Sequence, residues 1–133
     1  MLRQFTRGSV LAFALVGVSF GNSGLALAGG PPSVTVNGRA DLIAPTTIAV
    51  VVDVSCGAGS TDGLVEVAAS QSSAIGDASG SGITAFVSNG SRQQVVVFVD
   101  GGPWNVGPAI ASAAVSCGGF LADYDLGAKI TIQ

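Results

Sequence analysis

Asp62, Asp123 and Asp125 are the residues whose type and spacing come nearest to a reactive or ion-binding set in this sequence. Asp123 and Asp125 flank Tyr124, a spacing that in an extended chain puts both carboxylates on one side. Asp62 stands in a second glycine-bearing stretch, Gly57 to Gly63. Oxygen ligands of this kind suit calcium, and two acids at fixed separation suit hydrolysis. Both readings yield to a plainer one, because aspartates in glycine-rich turns cap backbone groups, and a small domain rich in short side chains seldom encloses a substrate. The chain has no His and its one Met is Met1, so the imidazole and thioether ligands of blue-copper or catalytic zinc sites are missing. No imidazole is present to activate a serine, and Lys129 is not preceded by Ser-x-x-Lys. The residues therefore point to a protein that is not an enzyme and uses no cofactor and no metal.

Binding features are more informative. Phe120, Leu121 and Tyr124 lie among glycines in a segment expected to be a loop, and exposed aromatics there are common anchors of recognition. With Asp62, Asp123 and Asp125 they make up the candidate partner-binding set. Trp104 follows Asp100-Gly101-Gly102-Pro103 and reads as a large side chain closing the far end of a core. Val95 to Val99 is apolar on both faces, which leaves one face for a partner, a second copy or a neighbouring edge. Asn89-Gly90-Ser91 is a glycosylation sequon if the host is eukaryotic.

These residues sit in a short chain with an export signature. Arg3 and Arg7 precede an apolar run from Val10 to Phe20, and Ala26-Leu27-Ala28 offers a cleavage site, so residues 1–28 read as a signal peptide and 29–133 as the domain. Removing 28 of 133 residues leaves 105, enough for one core. Three cations (Arg39, Arg92, Lys129) then face eight carboxylates, for a net charge of −5. That balance excludes a phosphate-binding basic face and with it nucleic acid, and it disfavours anionic lipid, so no membrane association is expected once the leader is gone. Cys56 and Cys117 are expected to pair in an oxidising, extracellular or cell-envelope compartment.

Period-two apolar alternation recurs between clusters of Gly, Pro, Asn, Asp and Ser. The clearest strand is Thr47 to Cys56, which puts Ile48, Val50, Val52, Val54 and Cys56 on one face. Further strands are expected over Ser33 to Leu42, Leu64 to Gln71, Ile83 to Ser88, Gln93 to Val99, Ala109 to Cys117 and Ala128 to Gln133. Asn89-Gly90 reads as a two-residue hairpin turn. The pattern predicts an all-β, antiparallel sandwich of about seven strands, with one disulfide between its sheets joining the ends of the second and sixth strands.

Val52 to Gly57, Val95 to Asp100, Gly107 to Ala113 and Ala128 to Ile132 give the chain its likeness. Through them it resembles the small, two-cysteine, immunoglobulin-like secreted proteins of actinobacteria, mostly of unassigned function. It differs from antibody-type domains in having no Trp on the third strand, and Val115 rather than Tyr two residues before the second cysteine. The resemblance implies an immunoglobulin-like sandwich and no particular task. The expected function is a secreted, non-enzymatic interaction module for an unknown protein or surface partner, working through the disulfide-tethered loops. A self-assembling surface protein and a carrier of a small apolar ligand are the alternatives.

Overall fold

A computed structural model describes residues 31–57 and 62–133; the expected leader and its cleavage site lie outside the described residues. Seven strands follow one another: β1 (Ser33–Ala44), β2 (Thr47–Ser55), β3 (Asp62–Ser73), β4 (Gly76–Val87), β5 (Gln93–Gly102), β6 (Gly107–Cys117) and β7 (Phe120–Ile132). They form a closed barrel in the order β1-β2-β5-β4-β3-β6-β7. The all-β expectation holds, but the open, immunoglobulin-like two-sheet sandwich does not: both edges that a sandwich leaves free are joined.

One junction is made by β4. It pairs with β3 over its whole length, from Asp62↔Val87 to Ser73↔Gly76, and its Ser79–Ser81 segment also pairs with Asp100–Gly102 of β5. Glycine permits this double engagement. A Cβ on Gly80 would collide with the carbonyl of Asp100, one on Gly82 with that of Phe98, and one on Gly101 with that of Ser79, so the close approach depends on these three positions lacking side chains. Gly76 to Gly82, which lies outside the strand expected over Ile83 to Ser88, is the first part of a long strand. Beyond Ser81 the seam is carried by side chains, with Thr84 Oγ1 donating to the carbonyl of Val96 and Gln93 Nε2 to that of Val87.

The other junction joins β1 to β7. Irregularities between Val36 and Ala40 and between Leu42 and Ala44 bend β1 away from β2, and its Arg39 and Ala40 pair in parallel with Thr131 and Ile132. Leu42 N donates to the carbonyl of Gln133, and Gln133 N to that of Ala40, both at 2.9 Å.

Two turns differ from expectation. Asn89-Gly90 is not a tight hairpin, since residues 88–92 connect β4 to β5 and the ladder of these strands lies at their other ends. A two-residue turn falls instead at Gly118-Gly119, where both residues have positive φ (61° and 88°) between the paired Cys117 and Phe120. The supposed loop from Gly118 to Gly127 is therefore mostly strand.

Inside, Ile48, Val50, Val52 and Val54 pack with Val65, Val67, Val97, Val99, Val115 and Ile132. β3 alternates strictly, its odd-numbered positions Gly63 to Gln71 buried, as a strand with one face inward requires. Two devices close the ends. Near the disulfide, the ring of Phe86 occupies the space a side chain on Gly63 would need, on the paired strand. At the far end Trp104 is buried as expected, beside a buried Gln71 whose amide is fully engaged: Nε2 donates to the carbonyls of Asn105 and Pro108, and Oε1 accepts from Asn105 N.

Candidate functional site

The disulfide defines one end of the barrel. Cys56, just past β2, and Cys117, the last residue of β6, are bonded with their Cα atoms 5.7 Å apart. The neighbours of β2 are β1 and β5, and those of β6 are β3 and β7, so the bond ties together strands that share no ladder. The β6–β7 turn leaves directly from this bond, and Gly118 N donates to the carbonyl of Asp62 at 2.9 Å. The start of β7 is thereby fixed by a covalent link on one strand and a hydrogen bond to another.

β7 carries the candidate aromatics outward. Phe120 is 79 % exposed, Leu121 65 % and Tyr124 58 %, and Leu126, which sequence reasoning passed over, is 70 % exposed. Cross-strand register extends this strip into a face. Leu121 pairs with Ser116, which pairs with Leu64, which pairs with Ala85; Tyr124 pairs with Ala114, then Glu66, then Ile83. Ser112, Ala114 and Ser116 of β6 are short, whereas Leu64 and Ile83 rise on one side and Leu121 and Tyr124 on the other. The result is a shallow trough above β6 between β3 and β7, which stand two strand spacings or roughly 10 Å apart, with Ile83 one strand further out on β4.

The aspartates do something else. Asp123 and Asp125 pair with Val115 and Ala113, the inward-facing residues of β6, so their side chains turn away from Tyr124 and toward β1. Asp123 Oδ2 accepts a hydrogen bond from Val34 N at 3.0 Å, and Asp125 Oδ2 one from Val36 N at 2.9 Å. Where β1 and β7 are too far apart for a backbone ladder, two carboxylates of the same spacing as the amides fill the gap. Asp62 is exposed at the start of β3, and the described residues contain no cluster of three or more His, Cys, Asp or Glu able to hold a metal ion. The convergence of Asp62, Asp123 and Asp125 on one ion, open from the sequence, is thus replaced by a structural role for two of the three.

Turning both acids inward has a consequence for the surface: from Phe120 to Leu126, every side chain that β7 exposes is uncharged. A second concavity, of about 470 Å³, lies outside the β4–β5 junction and is lined by Glu66, Ser81, Gly82, Ile83, Thr84, Phe98 and Asp100. Asp100 there accepts from Thr47 Oγ1 at 2.9 Å. Ile83 and Glu66 belong to both the trough and this groove. Val96 and Phe98 are exposed on the outer face of β5, while Val95, Val97 and Val99 point into the core.

In class, then, this is a disulfide-bonded, seven-stranded closed β-barrel with an uncharged strip at its bridged end. No family model matches the chain, and no curated protein matches it.

Proposed function

We propose that the protein is a secreted, non-enzymatic interaction module that grips its partner with the β7 strip and the trough beside it. The observation carrying this reading is the simultaneous exposure of Phe120, Leu121, Tyr124 and Leu126 on a strand whose two acids are turned under it. Large apolar groups held on a rigid strand lose little entropy on binding, and aromatics of this kind concentrate interface energy. The disulfide suits an oxidising compartment. An internal ligand is disfavoured by a barrel interior already filled with valines. The exposed Val96 and Phe98 favour self-association as a second reading.

The test compares wild type with Phe120→Ala/Tyr124→Ala. Each is immobilised and offered the extracellular protein fraction of the host, and bound proteins are quantified by mass spectrometry. The expected outcome is a partner retained by wild type and lost by a double variant of unchanged thermal midpoint. Equal retention by both removes the strip from recognition. Concentration-dependent sedimentation that Phe98→Ser abolishes would transfer the conclusion to self-assembly.

A further inference from the structure

We propose that Asn89 is a site of self-modification, its side-chain amide poised for ring closure by the backbone nitrogen of Gly90 and conversion to aspartate and isoaspartate. The inference stands apart from the partner-binding reading. Asn89 is exposed in the 88–92 connection, outside any strand. Gly90 has φ +82°, and nothing lies within 4 Å of where its Cβ would be, so the attacking nitrogen is flanked by open space.

Two hydrogen bonds prepare the reacting atoms. Ser91 N donates to Asn89 Oδ1 at 2.9 Å. This folds the amide back over the next two residues and aims a donor at the oxygen that becomes negative as the tetrahedral intermediate forms, the arrangement that stabilises acyl-transfer transition states elsewhere. Ser88 Oγ accepts from Gly90 N at 3.4 Å, a long bond that sets a hydroxyl against the proton the nucleophile must release. In the step itself, the Gly90 N–Asn89 Cγ bond forms and the Cγ–Nδ2 bond breaks. The proton from Gly90 N passes through the Ser88 hydroxyl or solvent to the departing nitrogen, which leaves as ammonia. Water then opens the succinimide at either carbonyl: one opening gives aspartate, the other isoaspartate with the chain running through Cβ. Nothing is oxidised or reduced, and water is the sole co-reactant.

The product adds a carboxylate to a defined place. Val87 pairs with Asp62 and Gln93 with Val54, so the 88–92 connection shares the barrel end of Cys56, Cys117 and Phe120.

The experiment follows the disulfide-bonded protein at mildly alkaline pH by intact mass and peptide mapping, beside the same chain reduced and held unfolded in denaturant. We expect loss of ammonia, then a gain of one mass unit with isoaspartate, confined to the peptide containing Asn89 and faster in the folded protein. Ser91→Pro, which removes the donating N–H, should slow the folded rate on the order of tenfold, less than an oxyanion donor contributes in an enzyme site. Ser91→Ala, which keeps that N–H, should leave the rate unchanged. An intact Asn89, equal conversion of Asn37 and Asn105, or a folded rate no higher than the unfolded one would overturn the proposal. The folded-against-unfolded comparison needs only wild type and decides the matter even where Ser91→Pro fails to fold.

Discussion

Replacing Asp125 with alanine tests how the barrel closes between β1 and β7. The Val36 amide that Asp125 accepts belongs to a residue only 7 % exposed, and the Val34 amide held by Asp123 to one only 4 % exposed. Taking away the acceptor leaves a shielded donor without a partner, a loss of about 1–3 kcal/mol. Asp125→Asn keeps an oxygen in place but gives up the charge, and neutral bonds are roughly half as strong, so about 1 kcal/mol is expected there. For Asp123→Ala/Asp125→Ala the expected loss is about 2–6 kcal/mol, comparable with the whole stability of a marginal domain, with some coupling between neighbours on one strand. Asp123 makes further interactions, which makes the Asp125 single variant the cleaner reporter.

Urea denaturation gives the magnitude, and amide hydrogen exchange gives the location: protection should fall at Val34 and Val36 before it falls at Val97 or Val99 in the core. If the double variant stays within about 0.5 kcal/mol of wild type and the Val34 and Val36 amides exchange as slowly as before, the carboxylates do not close the barrel and the reasoning is wrong. The same samples address calcium. A thermal midpoint unchanged by millimolar calcium is expected, because an ion bound only by the native state would raise it.

Replacing Cys56 and Cys117 by alanine should lower stability by about 4 kcal/mol in the chain-entropy model for a loop of this length, read as the difference in unfolding free energy. A difference under about 1 kcal/mol would mean that the unfolded chain is not restrained by the bond. Gly82→Ala should destabilise by about 1–3 kcal/mol or more, since its Cβ meets the backbone carbonyl of Phe98 and not a side chain that can swing away. Gly38→Ala, whose Cβ would come no nearer than 4.0 Å to the Lys129 carbonyl oxygen, should stay within about 0.5 kcal/mol of wild type, and equal effects at the two positions would discredit the close-approach account. Gln71→Leu strands the N–H of Asn105 and should cost about 1–3 kcal/mol in a denaturation curve.

What the sequence displays well is the inside of the barrel. Ile48, Val50, Val52 and Val54 announce an inward face because burial on one side forces period two, and the same faces pack in a sandwich or a barrel. The distinction between the two lies at the seams, where the signals are of another kind. Gly80 and Gly82 look like turn residues, yet their role is to let β4 pass against the backbone of β5, and no local pattern separates a glycine required by a turn from one required by a crossing strand. Gly118-Gly119 carries a hairpin signal as good in kind as Asn89-Gly90. It is obscured because Leu121, Asp123, Tyr124 and Asp125 break the apolar alternation expected after such a turn.

That break is where fold and candidate site meet. An alternating strand normally turns its acids to water and its aromatics to the core, so Tyr124 between two aspartates reads as a solvated turn. In β7 the relation is inverted: the carboxylates face β1 because its Val34 and Val36 amides lack a neighbouring strand to accept them, and Phe120, Leu121, Tyr124 and Leu126 are left outside in consequence. Satisfying two shielded donors thus outweighs the burial of apolar side chains at this end, where the interior is already closed by Phe86 and the disulfide. The uncharged surface of β7 is produced by the same hydrogen bonds that seal the barrel. Any variant that frees Asp123 and Asp125 to face solvent should therefore weaken β1 and change the proposed interaction surface together.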